Sequence, residues 1–159
     1  MNNNSNSVGI IGLGIIGSRI AKTLQQKDWQ VSVWNRTSGK DPNALESPAE
    51  VARKSNVLQI FVRDGKALHQ VIDSIESNLT ADHIIVNHAT VSLEDTKSAN
   101  ERIISQGGSF LDCPFTGSRD AAAAGLLNYY VGGDKQILEK VHPLLSASSN
   151  SCLLYTSPS

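Results

Sequence analysis

The sequence is poor in the features that would mark it for a membrane, a disulfide-stapled fold or a nucleic-acid partner. Only two cysteines, Cys113 and Cys152, occur in 159 residues. They form no metal-type spacing and no disulfide framework, so no metal site is expected and a reducing, cytoplasmic compartment is. Aromatic residues make up 5% and charged residues 18%, with 14 Lys and Arg against 15 Asp and Glu. That balance leaves no basic excess to hold nucleic acid or an anionic membrane. No apolar run is long enough to span a bilayer. The opening "MNNNSNS", residues 1–7, is polar and lacks the apolar core of a signal peptide, so a disordered leader is expected there. What remains is 40% hydrophobic, the composition of a soluble globular domain long enough to bury a core.

Short apolar strands alternate with amphipathic helices along the chain. Strands are expected at 8–13, 30–34, 57–62, 83–87, 109–113 and 128–131, and helices at 15–27, 48–54, 64–77, 92–106, 119–124 and 135–145. Ser47-Pro48-Ala49-Glu50 carries an N-cap serine, a first-turn proline and a glutamate at the third helical position, and Ser92 opens another helix. Gly107-Gly108 and Gly125 close helices. Parallel strands need crossover connections, so the alternation implies an α/β fold: a Rossmann-type, doubly wound, mostly parallel sheet with helices on both faces. The expected domain runs over 8–151, composition breaks from Ser146 onward in "SASSNSCLLYTSPS", and the ending "CLLYTSPS" suggests that 152–159 are a non-native tail.

The chemistry is concentrated at Gly12-Leu13-Gly14-Ile15-Ile16-Gly17, a G-x-G-x-x-G between a strand and a helix. Gly12 permits the tight turn, Gly14 lets the backbone approach a pyrophosphate, and Gly17 lets the helix pack close to the strand. The helix N-terminus offers N–H groups and positive dipole to the phosphates. At the end of the second strand, where an NAD site places a carboxylate for the ribose hydroxyls, stand Asn35-Arg36-Thr37. Asn35 removes the repulsion that a carboxylate would exert on a 2′-phosphate. Arg36 can stack on adenine and pair with phosphate, and Thr37 adds a donor. The expected cofactor is NADP(H). Histidines 69, 83, 88 and 142 have no metal-type partners, and local hydrogen bonding is the reading for each, with His88 near enough to the expected cofactor to touch it. Trp29 and Trp34 are expected to pack, at least in part.

"VGIIGLGIIGSRIAKTL" followed by "VWNRT" resembles the β-hydroxyacid dehydrogenase family, whose members include 3-hydroxyisobutyrate dehydrogenases, glyoxylate/succinic semialdehyde reductases and, more distantly, 6-phosphogluconate dehydrogenase. The resemblance implies a cofactor domain followed by an all-helical domain through which the parent protein dimerises. It places Val62, Arg63 and Asp64 of "IFVRDGKALHQVI" in a loop over the cofactor, and Thr90 near the nicotinamide ribose, with His88-Ala89 replacing the usual residues before it. "FLDCPFTGSRDAAAAGLLNYYVGGD" is similar to the family's substrate signature Asp-x-Pro-Val-Ser-Gly-Gly, with Phe115 for the valine, Thr116 for the serine and Ser118 for the second glycine. Thr116, Gly117 and Ser118 are thereby candidates to hold a small carboxylate substrate.

The family's general acid/base is a lysine in a Gly-x-Gly-x-x-x-Lys context. That pattern is absent from the 159 residues, and Lys135 and Lys140 lie on the wrong helix to replace it. No catalytic residue is therefore assigned. Two readings follow. One is the NADP-binding domain of an oxidoreductase that interconverts a small 3-hydroxy acid and its aldehyde or keto acid, inactive as it stands. The other is a stand-alone nucleotide-binding regulatory or redox-sensing module. A short-chain dehydrogenase is disfavoured by the absence of Tyr-x-x-x-Lys, and a phosphate-loop NTPase is excluded by the absence of Gly-Lys-Ser/Thr.

Overall fold

A computed structural model describes residues 6–155. Strand β1 (Ser7–Ile11) leads through the glycine turn into helix α1 (Ile15–Gln26), and β2 (Gln30–Trp34) follows. The next units are α2 (Pro48–Lys54), β3 (Val57–Ile60), α3 (Gly65–Ile75), β4 (Ile84–Asn87), α4 (Leu93–Ser105) and β5 (Ser109–Asp112). The last part comprises β6 (Phe115–Thr116), α5 (Arg119–Ala124), β7 (Leu127–Gly132), α6 (Lys135–Ala147) and β8 (Ser149–Tyr155). Strands β1 to β5 are mutually parallel in the order β2-β1-β3-β4-β5. β7 runs antiparallel to β5 and β6, and β8 runs parallel to β7.

The inner parallel strands are buried on both faces, and their side chains divide between two cores, whereas the edge strand β2 buries only Val33. Val8 and Ile10 of β1, Val86 of β4 and Leu111 of β5 meet Ile20 and Leu24 of α1 and Leu138, Val141 and Leu145 of α6 on one face. Leu58 and Ile60 of β3, Ile85 of β4 and Phe110 of β5 meet Val51 of α2, Leu68 and Ile72 of α3 and Ile103 of α4 on the other. This is the doubly wound sheet read from the alternation. Trp29 packs partly on the first core and Trp34 on the second. α6 continues through Pro143, which lies on its exposed side.

Three expectations change. The leader was set at 1–7, yet Ser7 pairs with Gln30 in the β1–β2 ladder, because β2 offers a partner one residue further than the apolar run indicates; residues 1–5 lie outside the described residues. β6 stands between the strand expected at 109–113 and the helix expected at 119–124, where no element is expected because two residues carry no periodicity. Residues 152–155 were set apart from the domain. The structure instead places them in β8, where they satisfy the outer edge of β7 from Tyr129 to Gly132; 156–159 lie outside the described residues.

His83 is a buried clamp at the amino ends of β3 and β4. Its Nδ1 accepts from the Thr80 backbone N–H (3.0 Å), and its Nε2–H donates to the Ala52 carbonyl (2.8 Å). His83→Leu leaves the Ala52 carbonyl without a partner in the interior. The expected loss is about 2 kcal/mol, read as a lower urea midpoint at unchanged m-value.

Candidate cofactor site

The carboxyl ends of β1, β3 and β4 and the first turn of α1 enclose the candidate site. The three glycines have three different reasons to be there. Gly12 has φ +103°, and a Cβ on it would lie 2.0 Å from the Phe61 carbonyl oxygen. A Cβ on Gly17 would lie 2.0 Å from the Gly12 carbonyl oxygen, so this glycine sets how close α1 sits to the turn. A Cβ on Gly14 would meet nothing within 4 Å. Gly14 faces open space at the N-terminus of α1, and that terminus has no side-chain cap and no acidic residue in its first turn. Space at the second glycine beside uncapped N–H groups fits the diphosphate of a dinucleotide, held at Gly14, Ile15 and Ile16.

The turn hangs from the end of β2. Gly12 N–H donates to the Trp34 carbonyl (2.8 Å), and Leu13 N–H donates to Asn35 Oδ1 (2.8 Å). Asn35 Nδ2 in turn donates to the Thr37 carbonyl (3.0 Å). The sequence reading gave Asn35 to the ribose side of the ligand; the structure engages its amide within the protein instead. A carboxylate could accept from Leu13 but could not donate to Thr37, so the amide makes one bond here that an aspartate would lose. Arg36 and Thr37 are exposed beside it, and Arg36 has no ion-pair partner among the described residues.

Two clefts flank the glycine turn. One, of about 530 Å³, lies between α1 and the loop after β2 and includes Leu13, Gly14, Arg19, Lys22, Lys40 and Asp41. The sequence reading assigned no role to its three cations. Arg19 and Lys22 are one helical turn apart on an otherwise ordinary polar face, and Lys40 is an unmarked loop residue. The other, of about 420 Å³, runs from Gly14–Gly17 across to Val62, Arg63, His88, Thr90 and Phe115. Ile15 and Ile16 line it too, so the structure brings Val62, Arg63 and Thr90 into one cleft with the glycine turn. Asn87 shapes that wall: its amide donates to and accepts from the Ala89 backbone (both 3.1 Å) and donates to Asp112 (3.4 Å). Burial pushes the Asp112 carboxyl up, and the Asn87 bond partly offsets this.

Other expected site residues fall elsewhere. Asp64 does not line the cleft: its carboxylate caps α3, accepting from Ala67 N–H (2.8 Å). Thr116, Gly117 and Ser118 line neither cleft. Thr116 is exposed on β6, Gly117 has φ +137°, and the Ser118 hydroxyl caps α5 by accepting from Ala121 N–H (3.1 Å). Their neighbour Phe115 is the part of that segment that reaches the cleft.

His88 is more than the loop residue with local bonds that the sequence suggests. It is 2% exposed, its Nδ1 lies 2.7 Å from the Cys113 carbonyl oxygen and its Nε2 lies 2.6 Å from Gln59 Oε1, and a neutral ring donates to only one of these two oxygens. The ring stacks on Phe61 with centroids 4.6 Å apart. Burial lowers its pKa to about 4, against a smaller raising effect of the Cys113 bond, so it is neutral at pH 7. It is a buried ring in the cleft wall, held from both sides.

A family profile described as the NAD binding domain of 6-phosphogluconate dehydrogenase matches residues 7–157. The chain belongs to this family. As a member of the 6-phosphogluconate dehydrogenase cofactor-domain family it is similar to glyoxylate/succinic semialdehyde reductase 1 of Arabidopsis thaliana, 32% identical over 146 residues, covering 86% of the chain and 50% of the reductase. It is also similar to the cytokine-like nuclear factor N-PAC of Mus musculus, 29% identical over 136 residues, covering 83% of the chain and 25% of N-PAC. Among solved structures, the 3-hydroxyisobutyrate dehydrogenase of Mycobacterium tuberculosis, in a structure with L-serine, superposes with a TM-score of 0.89 at 19% identity, covering 96% of the chain and 55% of that protein. This family domain thus spans about half the length of the reductase and of the dehydrogenase it matches. Among the described residues, no helix is long and apolar enough to cross a membrane.

Proposed function

We propose that the chain is the NADP(H)-binding domain of an oxidoreductase that interconverts a small 3-hydroxy acid and its aldehyde or keto acid, with NADPH-driven reduction as the favoured direction. The observation that carries the cofactor choice is the exposed Arg36, without an ion-pair partner among the described residues, beside an asparagine where an NAD site has a carboxylate. Lys40, with Arg19 and Lys22, adds positive charge on the same side of the glycine turn.

When bound, the cofactor supplies the hydride. The chain's own residues bind and orient it. Gly14, Ile15 and Ile16 take the diphosphate, and Arg36 and Thr37 take the 2′-phosphate. Val62, Thr90 and the apolar wall of Phe61, Ala89 and Phe115 hold the nicotinamide end and exclude water. The Thr116 hydroxyl and the Gly117 and Ser118 N–H groups are assigned to the substrate carboxylate. The proton for the carbonyl oxygen is assigned to the family lysine, whose sequence context these 159 residues do not contain, and the chain alone is expected to be inactive. The whole protein is proposed to assemble as a homo-oligomer through its helical part.

Tryptophan fluorescence of the purified chain, titrated with NADPH and NADH side by side, tests the cofactor choice. NADPH is expected to bind at least about tenfold tighter, a difference of about 1.4 kcal/mol. Arg36→Ala is expected to remove about that factor from NADPH and leave NADH unchanged. Equal or tighter NADH binding overturns the assignment.

The similarity to N-PAC, a nuclear factor by name, favours a second reading, a nucleotide-binding module without catalysis. NADPH oxidation by the full-length gene product with glyoxylate and succinic semialdehyde separates the two: turnover supports the enzyme, and cofactor binding without turnover supports the module.

A further inference from the structure

The two loops that carry Val62 and Thr90 into the cleft each run straight into a helix, α3 at Gly65 and α4 at Leu93. One carboxylate joins those two helix starts. Asp95 stands in the first turn of α4, where its backbone N–H donates to the Ser92 hydroxyl and its Oδ2 accepts from the same hydroxyl (both 3.0 Å). That Oδ2 also lies against α3, since a Cβ on Gly65 would be 2.0 Å from it. One turn along α3, His69 Nε2 lies 3.4 Å from Asp95 Oδ1. Gly65 and His69 are four residues apart and so share one face of α3, the face that Asp95 covers.

The histidine is oriented from its other side. Arg102 of α4 places Nη1 3.1 Å from His69 Nδ1, and a guanidinium can only donate, so Nδ1 accepts. The neutral ring then carries its hydrogen on Nε2, toward Asp95. Arg102 is held in turn by Asp73 and Glu76 at the far end of the same seam. The Asp95 side chain is 36% exposed, and an ion pair at that exposure adds little stability by itself. Its place gives it a different effect. It bridges the chain three residues beyond Val62 to the chain two residues beyond Thr90.

We propose that Asp95, oriented by Ser92 and His69, is a positioning residue that fixes the spacing of the Val62 and Thr90 loops and thereby the fit of the nicotinamide half of the cofactor. The proposal rests on the cofactor reading above but not on the choice between NADP and NAD. Gly65, His69, Ser92 and Asp95 do not line the cleft, so they act only through the loops. Gly65 belongs to the device, because any side chain there takes the space of the carboxylate.

The test measures binding to the 159-residue chain of NADPH and of adenosine 2′,5′-bisphosphate, which lacks the nicotinamide half. NADH and 5′-AMP form a second pair for the same comparison. Asp95→Ala and His69→Leu are each expected to weaken the dinucleotides about tenfold and the half-ligands less than about twofold. The double variant is expected to lose no more than the larger single loss, because the two side chains act as one unit. Asp95→Asn, which still accepts from Ser92 and His69, is expected to restore most of the affinity. Glu76→Gln, which loosens the seam at its far end, is expected to leave every ligand unchanged. Equal weakening of dinucleotide and half-ligand overturns the proposal, since a general loosening of the domain would do that. A folded Asp95→Ala chain with native dinucleotide affinity overturns it too. If Asp95→Ala does not fold, Gly65→Ala decides: it keeps the carboxylate and forces it off its seat. The same selective loss is expected there, and native affinity overturns the proposal. A folded native chain that binds neither dinucleotide sinks the cofactor reading and the proposal together, whereas native binding with indifferent variants sinks the proposal alone.

Discussion

Gly14→Ala is expected to abolish measurable dinucleotide binding while leaving the unfolding midpoint where it was, and Gly12→Ala is expected to destroy both. The contrast follows from the space around each residue. Gly14 has ordinary negative φ (−73°), and a methyl group on it meets no atom within 4 Å. The folded chain therefore tolerates alanine there, but the methyl occupies the approach of the diphosphate to the α1 N–H groups. Gly12 has φ +103°, and its methyl would sit 2.0 Å from the backbone oxygen of Phe61. Strand β3 has to move, or the turn has to open, and either breaks the β1–β3 ladder at Ile11 and Ile60. Backbone strain and overpacking together are expected to cost about 3 kcal/mol or more. Thermal or urea unfolding alongside cofactor titration checks both variants. A Gly14→Ala chain that still binds NADPH or NADH with native affinity would show that the open space at the second glycine is not where the phosphates go.

The second large effect is on acid stability. The His88 imidazole is fully buried and takes a proton only near pH 4, whereas the same residue in the unfolded chain does so near its ordinary 6.5. Between those values the unfolded state binds the extra proton and the folded state does not. The stability that His88 allows is therefore complete above pH 6.5 and is lost as pH falls toward 4, by about 3 kcal/mol in total. Asp112 works in the opposite sense, since burial raises its pKa and folding then favours its protonated form. His88→Gln, which keeps a polar group near Gln59 and Cys113, is expected to flatten the decline between pH 6.5 and 4 relative to the native chain. Parallel curves for the two proteins, from urea titrations at several pH values, would mean that the ring is accessible to protons in the folded state.

The sequence made much of this fold legible because the signals were local. The glycine triplet, the caps at Ser47 and Ser92, and the left-handed Gly125 that closes α5 are each specified by a few adjacent residues and stand where they were expected. The direction of β7 and the existence of β6 and β8 are not local. β8 shows no alternation of apolar and polar residues and becomes a strand through the edge of β7. The candidate site divides in the same way. Gly12, Gly14 and Gly17 announce themselves. His88, however, is held by Gln59 and Cys113, 29 and 25 residues distant, and Lys40 enters a cleft only because its loop folds back along α1. Asp64 and Ser118 show the converse: a residue that stands at a motif position is engaged instead by the helix it starts.

The Asn35 amide joins two roles that are usually kept apart. It holds the glycine turn through Leu13, braces the next loop through Thr37, and occupies the position that distinguishes one cofactor from the other. Replacing it with aspartate would give up the bond to Thr37 and set a charge at the loop's root, so this one position couples the shape of the loop to what the neighbouring site can hold.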